Sequence, residues 1–216
     1  MKPSAFPAWF ALSIELAVGV ALAGCAAGPP PTLYRLENDA AALPARSEAS
    51  PEVITVASIS VPDRVDRIQI VAEDGGRRDF ASSMHRWSAP LGAQVERMLV
   101  RRLQAARPQA WIGTDRAGPA PTATVHAQLI IDELGARLGG DVVVSGRWEL
   151  RRFHPAGTGQ GGPAGVSGPD AIRLGTVTVR ERSHGDGYDA LVGAIGAAVG
   201  QVCDAVVADL DRLPRD

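Results

Sequence analysis

The chain has 216 residues with 22 basic and 24 acidic side chains, a net charge of −2 with histidines neutral, and 45% hydrophobic residues. So even a balance leaves no electrostatic footprint for nucleic acid or for an anionic membrane surface. Cys25 and Cys203 are the only cysteines, too few for a disulfide framework, and the length suits one domain with a sizeable core.

At the N-terminus, Lys2 precedes an apolar run from Trp9 to Ala23, interrupted by Glu15, that ends in Leu22-Ala23-Gly24-Cys25. The run falls short of the roughly 20 apolar residues of a comfortable membrane span and stops abruptly in small residues, so residues 1–24 read as a processed leader. The closing four residues resemble a lipobox, whose cysteine is acylated and becomes the first residue of the mature protein. Cys25 is therefore the expected lipidation site, and a membrane held through a lipid anchor is the first expected partner. Ala26 and Ala27 follow it where an aspartate would signal inner-membrane retention, which favours the outer membrane. With Cys25 acylated, Cys203 lacks an intramolecular partner and reads as a small buried thiol.

Residues 25–51 read as the lipidated cysteine and a flexible tether, rich in proline and alanine; 26 such residues span about 28 Å on average. Leu33-Tyr34-Arg35-Leu36 is an apolar and aromatic island within it, suited to dock on the domain or on a partner. The folded domain then covers residues 52–213. Val53 to Val61 alternates and is β-branched, a strand that Pro62 closes. Arg67 to Val71 and Asp79 to Ala81 form two short strands around Gly75-Gly76. Ser88 as N-cap and Pro90 in the first turn open a helix from about Ala89 to Ala106, with Leu91, Val95, Met98, Leu99 and Leu103 on one stripe. Arg97, Arg101 and Arg102 lie on its other face, either solvated or offered to an acidic partner.

Ala110 to Gly113 suggests a short edge strand. Thr122 to Glu133 and Asp141 to Arg152 alternate over their length and predict a hairpin through Gly139-Gly140. Residues 154–169 are dominated by glycine and proline and read as an insertion; Ile172 to Arg182 then resumes the alternation. The last element is a helix from about Tyr188 to Leu213. Its Gly193, Gly196 and Gly200 predict close packing against the sheet, while Asp186, Asp189, Asp204, Asp209 and Asp211 argue against a membrane span. The order predicts an α+β fold: a single largely antiparallel sheet with two amphipathic helices packed on one face.

Catalytic chemistry finds little support. Gly165-Val166-Ser167-Gly168 lacks the last glycine of a nucleophile elbow. His85, His126, His154 and His184 show no metal-ligand spacing. Asp132-Glu133 and Glu73-Asp74 are sequence neighbours, which a strand points to opposite faces. The chain therefore reads as non-catalytic, with no metal and no cofactor.

Several segments together resemble the ABC-type transport auxiliary lipoprotein family: the lipobox at Cys25, Tyr34-Arg35-Leu36, Val65-Asp66-Arg67 followed by Gln69-Ile70-Val71, His85-Arg86-Trp87 followed by Pro90-Leu91, and the closing amphipathic helix. Ile68 stands where family members often have proline, and Ala89 where an acidic residue is common. The resemblance implies an accessory subunit of an intermembrane lipid transport system at the cell outer membrane, facing the periplasm. Its implied partners are an MCE-domain protein and associated transporter components, and its own copies in a homo-oligomer. Asp66, Arg67, Gln69, His85, Arg86, Trp87 and Pro90 are the expected partner-binding residues. Regulation of another envelope machine, such as a cell-wall synthase, is the alternative on a similar small α+β domain. A third, lipid binding by the domain itself, requires an apolar cavity.

Overall fold

The computed structural model describes residues 29–36, 52–75, 78–115, 124–153 and 169–214. They form β1 (Thr32–Tyr34), β2 (Val53–Val56), β3 (Gln69–Glu73), β4 (Asp79–Trp87), α1 (Leu91–Ala106), β5 (Trp111–Thr114), β6 (Val125–Ala136), β7 (Asp141–Arg152), β8 (Ala171–Arg182) and α2 (Tyr188–Asp211), all within the unit Thr32–Asp216. The leader, Cys25 and residues 154–168 of the insertion lie outside the described residues.

The three long strands pair as their alternation requires. β6 and β7 run antiparallel from Val125↔Arg152 to Ala136↔Val142, and β7 pairs antiparallel with β8 over twelve positions. Gly139, at φ 64°, supplies the left-handed residue that closes the first hairpin. This register puts Val125, Ala127, Leu129, Ile131, Val142, Val144 and Leu150 on one buried face. The opposite face exposes Ile172 and Leu174. α2 packs on β7 and β8, and α1 lies beside α2 and next to β5.

The single largely antiparallel sheet expected from the sequence is corrected on two counts. The described residues form two sheets, of three strands in the order β1-β4-β3 and of five in the order β5-β2-β6-β7-β8, and both are mixed. β1 pairs parallel with β4, and β2 pairs parallel with both β5 and β6. Parallel neighbours demand a crossover, and the chain from β2 to β5 provides it by building β3, β4 and α1 on the way. The expected strand from Val53 to Val61 keeps ladder pairing only to Val56, although Ile59 and Val61 stay buried and Ser60 bridges to Ile130.

The helix ends also differ. Pro90, not Ser88, is the N-cap of α1, and no side chain caps it. α2 starts after Gly187 and ends at Asp211. It is apolar enough to match a membrane span by length and composition, with mean hydropathy 1.8, yet most of its apolar window is buried in the domain. Two of the α2 glycines do not meet the sheet as expected: a Cβ on Gly200 would strike Arg102 of α1, and one on Gly193 would meet nothing. Sheet contact falls to the other stripe, Leu191, Ile195, Ala198 and Val202, all buried. Ion pairs Arg102–Asp204 and Arg107–Asp211 join the two helices, so Arg102 is neither simply solvated nor free for an acidic partner.

One polar tie locks α2 onto the sheet. The Trp148 indole lies across Gly175, its register partner on β8, where any Cβ would sit 2.2 Å from the ring. Its Nε1 donates to Asp209 Oδ2 at 3.1 Å, while Arg173 and Arg212 reach Asp209 Oδ1 at 2.8 and 3.1 Å. Burial alone would raise the Asp209 pKa, but the hydrogen bonds from Arg173, Arg212 and Trp148 and the Arg173 charge outweigh it and hold the carboxyl below its ordinary 3.8. The folded state thus binds this proton less readily than the unfolded one; the stabilisation is complete well above pH 4 and fades as pH falls toward the folded value. Asp209→Asn should cost about 2 kcal/mol in urea unfolding at pH 7. The variant should also lose less stability than the wild type between pH 5 and pH 3, about the range in which this carboxyl titrates in the unfolded chain.

Candidate functional site

Asp66 and Arg67 sit in a turn that the sequence builds from Pro62: the amides of Val65 and Asp66 donate to the Pro62 carbonyl, and Val65 plugs the core beneath. Both Asp66 and Arg67 are exposed. Neither has an ion pair among the described residues. Two residues on, Gln69 pairs across the sheet with Arg86, which pairs with Leu33 of β1. Gln69, Arg86 and Leu33 therefore form one row over three strands, and Arg86 Nε is held by the Ser83 carbonyl at 3.1 Å.

His85 belongs to the other face of this sheet. Its Nδ1 lies 3.0 Å from the Tyr34 hydroxyl, and its ring stacks on Tyr188 of α2 with centroids 4.0 Å apart and planes 12° from parallel. Burial, then the Asp189 carboxylate bonded to the same hydroxyl, raises the Tyr34 pKa. Ser82 shapes the approach: its Oγ accepts from the amides of Met84 and His85 where β4 slips register against β3.

Trp87 is a core residue, only 2% exposed, whose amide donates to the Ile68 carbonyl at 2.7 Å. Pro90 is exposed at the start of α1. The expected partner-binding residues thus divide. Asp66, Arg67 and Pro90 stand at the surface, Gln69 and Arg86 are half-buried in the cross-strand row, and His85 and Trp87 point inward.

β1 itself is pinned at its C-terminal end. The Tyr34 carbonyl accepts from the Ser88 amide at 2.7 Å, and the Leu36 amide donates to Gln94 Oε1 at 2.9 Å. Gln94 is buried in α1, and its Nε2 donates in turn to the Ala89 carbonyl. Beside β1 opens a groove of about 440 Å³ lined by Leu33, Tyr34, Arg35, Arg102, Asp189, Val192, Gly193, Gly196 and Ala197. Sequence reasoning missed the joining of Tyr188 and Asp189 to His85 and Tyr34. The aromatic island at Leu33-Tyr34 was its one visible trace.

Trp87→Ala should lower stability by about 3–5 kcal/mol, because it empties a filled core site. Chemical denaturation of the variant checks this. A fold unchanged in stability would return Trp87 to the surface.

Comparison with known proteins gives a consistent picture. The family model described as ABC-type transport auxiliary lipoprotein component matches residues 34–207. The Intermembrane transport lipoprotein PqiC of Escherichia coli K12 is 23% identical over 194 residues, covering 89% of this chain and 94% of that protein; the Shigella flexneri protein of the same name matches equally. Two solved structures share the fold. One, of an uncharacterized protein, has a TM-score of 0.63 at 18% identity and covers 84% of this chain and 99% of its own. The other, from Xanthomonas campestris, has a TM-score of 0.58 at 15% identity, with 82% and 92% covered.

Proposed function

This chain belongs to the ABC-type transport auxiliary lipoprotein component family, and from that premise we propose that it is a non-catalytic subunit of an intermembrane lipid transport system. In this reading Cys25 carries the acyl anchor at the outer membrane, and the domain receives periplasmic components there, among them an MCE-domain protein. The observation that carries the reading is the extent of the family match, residues 34–207, which spans nearly all of the folded unit and begins nine residues after the lipobox cysteine. The whole-length similarity to intermembrane transport lipoproteins supports it.

The geometry narrows the docking surface. Asp66 and Arg67 project from a turn braced by Pro62, so a partner meets a preformed loop and loses little entropy in ordering it. Arg67, exposed and without an ion pair among the described residues, offers an arginine of the kind that dominates interface energetics. His85 and Trp87 contribute by fixing β4, and through it the row of Gln69 and Arg86.

Crosslinking and affinity purification of the native lipidated protein from membranes, read by mass spectrometry, should recover an MCE-domain protein. Recovery of cell-wall enzymes in its place would overturn the transport reading. Arg67→Glu should reduce that recovery several-fold while shifting stability by no more than about 0.5 kcal/mol, as for other exposed substitutions.

A further inference from the structure

We propose that the groove beside β1 is the membrane-facing surface of the domain and seats a phosphate-bearing lipid headgroup of the bilayer that holds the anchor. This rests on the acylation of Cys25 and adds an orientation to it. Leu33 follows Cys25 by eight residues, so a fully extended chain carries it at most about 29 Å from the acylated cysteine. A domain of this length is roughly 40 Å across. The β1 side therefore stays within that reach of the bilayer, and a pose with the opposite pole resting on the membrane is out of reach.

The groove has the chemistry for that position. Leu33 is an apolar side chain 61% exposed at its rim. Arg35, exposed and without an ion pair among the described residues, presents a guanidinium suited to bidentate phosphate contact, and Arg102, held by its ion pair with Asp204, adds positive charge to the same wall. Asp189 lines the same groove and offers a carboxylate to a headgroup ammonium. Val192 provides an apolar wall, and Gly193, where an added Cβ would meet nothing, leaves the floor open.

The test uses the full-length acylated protein in vesicles of phosphatidylethanolamine and phosphatidylglycerol, with and without a nitroxide-labelled lipid. Leu33→Cys and, as a control on the open face of the five-stranded sheet, Leu174→Cys each receive a polarity-sensitive fluorophore. Both positions are well exposed, Leu174 at 72%, so the substitutions leave the core untouched. Cys203 is buried with its thiol pKa raised to about 12 by burial, so it does not compete for label.

Position 33 should show a blue-shifted emission and lose intensity to the nitroxide lipid, while position 174 shows neither. Emission at 33 as water-exposed as at 174, in protein that floats with the vesicles, would overturn the proposal. So would a blue shift at 33 without nitroxide quenching, which would assign the groove to a protein neighbour. Protein that fails to float at all would overturn the anchor reading itself, and the orientation with it.

Discussion

The architecture depends on β2, four residues paired parallel on both sides, with β5 and with β6. A strand in that position cannot be followed by a hairpin to either neighbour. The chain must leave the sheet and come back in the same direction, and the excursion from Ala57 to Ala110 is where α1 and two strands of the three-stranded sheet, β3 and β4, are made. The start of the excursion stays on β6, where the Ala57 amide donates to Ala127 and Ser60 bridges to Ile130, and the two sheets are joined where Glu73 of β3 bridges to Arg137 just past the end of β6. Everything at the candidate site, from the Asp66–Arg67 turn to the start of α1, lies on this excursion or packs against it.

The sequence was most informative where a periodic pattern meets a one-sided environment. β6 and β7 each bury one face and free the other, so their alternation and the glycine turn between them were enough to place the hairpin. The α1 stripe was legible for the same reason. Strand direction was not, because parallel and antiparallel neighbours bury the same alternating residues and differ only in where the connection runs. β1 has three residues, too few to show any period, although its aromatic island did stand out. The Trp148, Gly175 and Asp209 tie joins three separate elements, and no local spacing announces it. At the site, Asp66 and Arg67 were found by family resemblance and lie at the surface. Trp87 showed the opposite risk: a tryptophan is as valuable to a core as to an interface, and its type alone does not say which.

The two faces of the five-stranded sheet have different roles. The inner face is closed by α2 and secured by the Asp209 carboxylate, which reads out to Trp148 on β7, Arg173 on β8 and Arg212 at the helix end. The outer face carries ion pairs Arg147–Asp132, Arg151–Glu149 and Arg180–Asp141 between and along strands, with Ile172 and Leu174 standing clear of them on β8. Family membership assigns the chain to transport accessories, and the division leaves one side of the sheet given to rigidity and the other to surface.

The pinning of β1 has a mechanical meaning. If Cys25 carries the anchor as proposed, the domain's reach from it is limited by where the chain first becomes part of the fold, and that point is Thr32, only seven residues on, giving a contour of about 25 Å. Measured instead to Val53, the next strand, the contour would be about 100 Å. Three residues of parallel pairing and the Gln94 amide thus act as a clasp that takes up most of the available slack. With such an anchor, any pull between membrane and domain would be delivered first to β4, the strand that also carries Arg86 and leads into the start of α1.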